Sequence, residues 1–267
     1  MNSIRSTFSG SFYPENKNIL DKVMESFFAN CDKTISKAKG LIVPHAGYIY
    51  SGQVAAFGYK QLSNEKIKTA IVLGSSHQIY SDIAAIPRED SYITPYGKIM
   101  FDLDIINKLV SEKQIQLNSQ PHYQEHSLEV QFPFLQYLNP NMLIVPISVG
   151  AMSFNKLSQI AGLLREVLDE KTILIISTDL SHFHSLSIAN ELDQRTITTM
   201  LSMDAKALFD GYNHQQVELC GIFPVVVALE TLKQNTFAKL LRYDTSATAT
   251  QYASRVVGYT SIALIDS

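Results

Sequence analysis

Tryptophan is absent from this 267-residue chain, and cysteine occurs only twice, as Cys31 and Cys220. Two cysteines cannot build a disulfide framework, so the composition points to a reducing cytoplasm. Long apolar runs are missing too: none approaches the roughly 20 residues that a membrane span needs. The start, Met1-Asn2-Ser3-Ile4-Arg5-Ser6-Thr7, is polar and has no apolar core of signal-peptide length. Charge is sparse and balanced, with 22 basic and 25 acidic residues interspersed for a net charge of -3. That excludes the basic footprint of a nucleic-acid binder and a polybasic membrane patch. Linkers, low-complexity tracts and internal repeats are also missing, so one domain is expected over residues 1–267. What the chain does have is an apolar content of 46%, ample for the core of an α/β domain.

Three short apolar runs each lead to a histidine. Leu41-Ile42-Val43-Pro44 delivers His45, and Ala70-Ile71-Val72-Leu73-Gly74-Ser75-Ser76 delivers His77. Ile173-Leu174-Ile175-Ile176-Ser177-Thr178 delivers Asp179 and then His182. Such runs, closed by Gly, Ser or Pro, read as strands buried on both faces of a parallel sheet. Strands are expected at 41–44, 69–73, 82–86, 97–101, 142–147, 172–176, 238–243 and 255–264. Between them, helical spacing predicts helices near 52–61, 103–112, 126–137, 153–169, 186–202, 204–209 and 222–233. An earlier helix opens at Pro14-Glu15 with Ile19, Leu20, Val23, Phe27 and Phe28 on one face. The alternation argues for a single α/β domain with a largely parallel central sheet flanked by helices. In open α/β sheets the ligand site lies beyond the carboxyl ends of the strands, where His45, His77 and Asp179 converge.

Each histidine alone reads as a hydrogen-bonded loop residue; two together, both at expected strand ends, read as metal ligands, since neutral imidazole suits transition metals. The glycines of His45-Ala46-Gly47-Tyr48-Ile49-Tyr50-Ser51-Gly52 permit positive φ and close backbone approach to a ligand. In Ser177-Thr178-Asp179-Leu180-Ser181-His182-Phe183-His184, helix capping accounts for Ser181 or Asp179 but leaves His182 unexplained; His184 reads as a surface residue. Two readings stand for Cys220, which precedes Gly221 and an apolar helix: a small buried hydrophobe, or a thiolate favoured by the helix dipole. Cys31, at the end of an amphipathic helix, reads as a structural or a surface residue. His126 and Glu129 are three apart on one helical face, and a single HxxE copy points to pocket lining or hydrogen bonding rather than ligation. Tyr48, Tyr50, Tyr80, His126 and Phe183 can supply an aromatic or polar wall in the absence of tryptophan.

The ordered segments Phe12-Tyr13-Pro14, Pro44-His45-Ala46-Gly47-Tyr48-Ile49-Tyr50-Ser51-Gly52, Gly74-Ser75-Ser76-His77, Glu125-His126-Ser127-Leu128-Glu129, Ser177-Thr178-Asp179-Leu180-Ser181-His182 and Cys220-Gly221 together resemble the Memo-like family. That family is named for a mediator of receptor-driven cell motility. It also supplies one component of a prokaryotic set with AMMECR-like and radical-SAM proteins, which implies functional association with both. The resemblance implies a fold similar to class III extradiol dioxygenases, the non-haem iron enzymes. It places metal ligands on His45, His77 and Cys220, with Cys220 in place of the dioxygenase carboxylate, and an acid/base histidine on His182 beside Asp179. Tyr48, His126 and Glu129 are then the expected substrate pocket. A thiolate is softer than a carboxylate, which turns the preference toward copper, zinc or sulfur-ligated iron and away from catechol ring cleavage. The expected function is a cytoplasmic oxidoreductase-type site holding iron(II) or copper, acting on a small-molecule or peptide ligand. A zinc-dependent hydrolase and a non-enzymatic partner-binding scaffold are the alternatives.

Overall fold

The computed structural model describes residues 2–266. Its first strands are β1 (Ser3–Arg5), β2 (Ala38–Val43), β3 (Thr69–Gly74), β4 (Ala84–Ile86), β5 (Ser91–Thr94) and β6 (Gly97–Phe101). They continue with β7 (Ile115–Leu117), β8 (Leu143–Val149), β9 (Thr172–Ser177), β10 (His182–His184), β11 (Thr236–Thr245) and β12 (Val256–Asp266). One mixed sheet takes the order β1-β5-β6-β8-β3-β9-β2-β12-β10, with β11 on β12, and with β4 joining β8 and β7. Its centre, β6-β8-β3-β9-β2, is parallel throughout, and β12 then runs antiparallel to β2. Every residue of β3 and β9 is buried, as continuous apolar runs covered on both faces require. Helix Ile222–Leu232 packs on β2, β8 and β9, and helix Tyr48–Tyr59 packs on β2, β11 and β12. No helix among the described residues is long and apolar enough to cross a membrane.

Several local expectations are corrected. The first helix begins at Lys17, because the Asn16 side chain accepts from the N–H groups of Asn18 and Ile19 and so caps it. Its buried stripe is Leu20, Met24 and Phe28, whereas Ile19 is exposed. The continuous helix expected over 126–137 is two helices, His126–Glu129 and Phe132–Leu138. Pro133 has no N–H to continue the first ladder and sits in the opening turn of the second. Gly47 has φ −55°, so no left-handed turn is needed there. Gly52 instead leaves room for the Phe27 ring, which a Cβ at that position would meet. His182 to His184, which fall between an expected strand and an expected helix, form the short strand β10 against Val256 and Val257. Strands β1, β5 and β7 and helix Ser246–Thr250 have no counterpart in the sequence pattern. They are three to five residues long and carry too little periodicity to register.

His122 makes the acid stability of this fold testable. It is buried, its Nε2–H donates to the Ala85 carbonyl at 2.9 Å, and burial pulls its pKa down to about 4 against the weaker opposing effects of that hydrogen bond and of Glu89 and Glu125. A histidine whose folded pKa is depressed contributes stability that is complete above its unfolded pKa, about 6.5, and lost as pH falls toward the folded value. The gap is worth about 3 kcal/mol. Urea unfolding should therefore weaken between pH 7.5 and pH 4, and His122→Asn should flatten that dependence. Parallel pH profiles for the two proteins would place the acid lability elsewhere.

Candidate metal centre

The parallel strands bring their chemistry to one end of the sheet. His45 lies two residues beyond β2, His77 three beyond β3, and Asp179 two beyond β9. His126 joins them as the first residue of the one-turn helix His126–Glu129. Ligand atoms of His45, His77 and His126 all lie within 4.8 Å of one another, a group that could hold a metal ion. Their ring centroids are nearly equidistant, at 5.1 Å for His45–His77, 5.1 Å for His45–His126 and 4.8 Å for His77–His126.

Hydrogen bonds fix how two of these rings point. The Ser177 hydroxyl donates to the Ser127 carbonyl at 2.5 Å, so its oxygen is left to accept. It accepts from the Gln131 amide at 2.9 Å and from His45 Nδ1, also at 2.9 Å. His45 therefore carries its proton on Nδ1 and presents a bare Nε2 to the cluster. His77 is set the same way. Its Nδ1 donates to Glu125 Oε1 at 2.9 Å, and its backbone N–H donates to the other oxygen of the same carboxylate. Glu125 also caps the helix by accepting from the Ser127 N–H at 2.8 Å. Carboxylate and hydroxyl partners of this kind hold ligating imidazoles in one tautomer.

The titration of these groups follows from their surroundings. Burial, then the His77 and His182 imidazoles, pulls His45 down to about 3 against the opposing charge of Glu125. Burial likewise holds His126 at about 4, reinforced by His45. Burial works against a charged His77 as well, but the hydrogen bond and charge of Glu125 outweigh it and raise its pKa. Burial also disfavours ionised Glu125, and the bonds to His77 overcome this and hold its carboxyl at about 2. At neutral pH His45 and His126 are neutral, the form that binds metals.

Cys220 stands at the edge of this group. Its Sγ is 3.1 Å from the bare Nε2 of His45 and accepts from the Asp179 N–H at 3.2 Å. It is outside the set of mutually close ligand atoms formed by the three histidines. Gly221 brings it there, since a Cβ at that position would lie 2.7 Å from the Ser177 carbonyl and 2.6 Å from Thr178 Cβ. The helix N-terminus does not make it a thiolate. Burial, with the charge of Asp179 next, pushes the thiol well up, so it is protonated and donates to His45. Asp179 is itself buried, and burial raises its pKa. Its Oδ1 accepts from the His45 N–H at 2.8 Å, which ties the β9 end to the β2 end.

A sequence model of the Memo-like protein family matches residues 5–263. The chain belongs to this family. It is similar to a MEMO1 family protein of Thermoplasma volcanium, 31% identical over 257 residues, which are 95% of each chain. A MEMO1 family protein of Aquifex aeolicus is 32% identical over 255 residues, 94% of this chain and 95% of that one. The fold also resembles the crystal structure of an uncharacterized protein from Escherichia coli K12, with a TM-score of 0.55 and 11% identity. That match covers 85% of this chain and 98% of that chain, and at such identity it concerns the fold alone.

Within this Memo-like site, the remaining sequence-expected residues fall in different places. The His182 N–H donates to Glu218 Oε1 at 2.8 Å, and His184 Nε2 donates to the other Glu218 oxygen at the same distance. No hydrogen bond among the described residues joins the Asp179 carboxylate to the His182 ring; Asp179 Oδ1 instead accepts from the His45 N–H. Tyr48 is buried, with its hydroxyl donating to the Val130 carbonyl at 2.6 Å. Tyr50, Tyr80 and Phe183 are exposed, and Phe183 holds a left-handed φ of 64° between the two histidines. His126 and Glu129 do not share the cleft face. The Glu129 carboxylate turns away and is closed by the N–H groups of Thr7 and Phe8 and the hydroxyls of Tyr13 and Tyr92. That anchored N-terminal segment lays Phe8 and Phe12 against His126, with centroids 5.5 and 4.9 Å away. Cys31 is buried, which excludes the surface reading and leaves the structural one. Glu125, Ser127, Gln131 and Ser177 are the site residues that sequence reasoning left without roles. Only the position of Glu125 just before a histidine-led helix hinted at its part.

Proposed function

We propose that this Memo-like chain is a cytoplasmic metal-dependent redox protein whose metal, iron(II) or copper, is held by His45, His77 and Cys220. The observation that carries the reading is the Cys220 thiol facing at 3.1 Å the bare Nε2 of His45, whose ring centroid is 5.1 Å from those of His77 and His126. Two donor atoms that share one proton at that distance suit a cation that replaces the proton. The donor set fits such a metal: neutral imidazoles, one soft sulfur, and carboxylate or hydroxyl partners behind His45 and His77. Iron(II) or copper bound there would supply one-electron chemistry with dioxygen.

The protein's own residues then divide the work. Glu125 and Ser177 fix the imidazole tautomers, and Asp179 fixes the His45 backbone. His182 serves as the proton-transfer group at the rim, outside the ligand set, with Glu218 gripping its backbone. Phe8 and Phe12 exclude water from one side of His126. A small-molecule or peptide ligand enters at the carboxyl ends of the strands, and the family resemblance adds association with AMMECR-like and radical-SAM proteins.

Anaerobic loading with iron(II) or copper(I) should give one metal per chain, followed by oxygen uptake on exposure to air. His182→Ala should keep the metal and lose most of that uptake. Equal metal loss in His182→Ala would move His182 into the ligand set and undo its role. A second reading has its own observation: the three-histidine group with an open side is also the layout of catalytic zinc in hydrolases. Stoichiometric zinc with no oxygen uptake under any metal would favour it. Failure to retain any metal would leave the partner-binding scaffold.

A further inference from the structure

Beside the imidazole cluster lies an apolar cavity of about 420 Å³ between the N-terminal segment and helices Lys17–Ala29 and Tyr48–Tyr59. Its walls are chiefly Phe12, Tyr13, Val23, Phe27, Tyr48 and Ile49, and no lining residue is charged. Both tyrosine hydroxyls are spent elsewhere, that of Tyr13 on Glu129 and that of Tyr48 on the Val130 carbonyl. The Ser11 hydroxyl is likewise donated to the Phe8 carbonyl. The tyrosines therefore offer the cavity ring faces rather than hydrogen bonds.

The cavity is pinned open. Glu129 holds Thr7, Phe8 and Tyr13 from one side, and the Tyr48 N–H donates to the Phe12 carbonyl at 2.8 Å on the other. Its volume falls within the range of small-molecule pockets, and a void of about 150 Å³ already takes a benzene ring. One side chain borders both this space and the candidate metal centre. Phe12 lines the cavity and its ring also lies 4.9 Å from that of His126, which in turn stands 5.1 and 4.8 Å from His45 and His77.

We infer that this cavity receives an uncharged bicyclic aromatic group of the small-molecule substrate and so holds the rest of that molecule at the imidazole cluster. Aromatic walls select the group by stacking and edge contacts. A charged group would lose water and find no countercharge among the lining residues. The inference deepens the metal reading and rests on it for the reaction, but not for the binding.

The absence of tryptophan makes indole a clean probe, because all indole emission then comes from the ligand. Indole should bind the chelator-treated protein saturably, with one equivalent and blue-shifted emission, and indole-3-acetate should bind at least tenfold more weakly. Val23→Phe fills the space and Ile49→Asp sets a carboxylate at its mouth; neither touches a histidine or Cys220. Each should weaken indole at least tenfold and leave metal content unchanged, and the second decides the matter if the first does not fold. In copper(II)-loaded protein the bound indole's proton resonances should broaden, and in zinc-loaded protein they should not. Non-saturable binding, binding indifferent to both substitutions, or equal binding of indole-3-acetate overturns the inference. So does indole bound without broadening by retained copper. If no copper is retained, the metal reading fails by itself, while the titrations with the two variants still decide the cavity.

Discussion

Cys220→Ser should cost the protein about a hundredfold or more in metal affinity, while His126→Ala should cost less than tenfold. A four-ligand site gives on the order of 10–16 kcal/mol of apparent binding free energy, so one ligand carries about 3 kcal/mol. Serine keeps the size of the cysteine side chain and loses the soft donor. The thiol is protonated before loading, because burial and then Asp179 push it up. Metal must displace that proton, so apparent affinity should rise with pH, and calorimetry in buffers of different ionisation enthalpy should register proton release. Loading with copper(II) or iron(III) should also give a thiolate charge-transfer band that Cys220→Ser abolishes. The reverse order, with His126→Ala the more damaging and no such band in the wild type, would give the site to the three histidines and favour the zinc reading.

Glu129→Ala should destabilise the fold by about 3–5 kcal/mol, the range expected when one partner of a buried polar network is removed. The carboxylate is buried and accepts four hydrogen bonds at 2.7–2.9 Å: two from backbone N–H groups and two from tyrosines. Alanine leaves all four donors without their acceptor, and water entering the gap relieves only part of the loss. Burial, followed by the charge of Glu129, raises the pKa of both Tyr13 and Tyr92, so the hydroxyls remain donors over the whole working range. Glu129→Gln, which keeps one accepting oxygen but sets an NH₂ against other donors, should lose about half as much. Urea unfolding measures both variants, and a loss under about 1 kcal/mol for alanine would show that the N-terminal segment is held by its apolar contacts instead. Because the same segment carries Phe8 and Phe12, early proteolysis near the N-terminus should accompany the loss.

The central strands are legible in the sequence because a strand buried on both faces tolerates only an unbroken apolar run, as in Ala70–Leu73 and Ile173–Ile176. The histidines that follow β2 and β3 are legible for the same reason, since polar groups of this type beyond such runs sit at the carboxyl edge of the sheet. Local pattern misleads where a helix is short. His126 and Glu129 look like one face at a spacing of three, yet in a four-residue helix the contacts of each side chain decide where it turns. His126 meets His45 and His77, and Glu129 meets Thr7, Phe8, Tyr13 and Tyr92.

Sequence by itself determined the α/β class, the parallel core, and the delivery of His45, His77 and Asp179 to one edge, because period and burial are properties of neighbouring residues. Only the tertiary structure decided which groups meet there. The Glu125–His77 pair spans 48 positions, and the Cys220–His45 pair spans 175. No local propensity encodes a contact across such distances; it arises when strands and helices pack. Packing also sets charge: a cysteine at a helix start leaves a buried thiol and a thiolate both open, and burial beside Asp179 keeps its proton. The dipole of one helix end is a small effect, and removing the sulfur from water is a larger one.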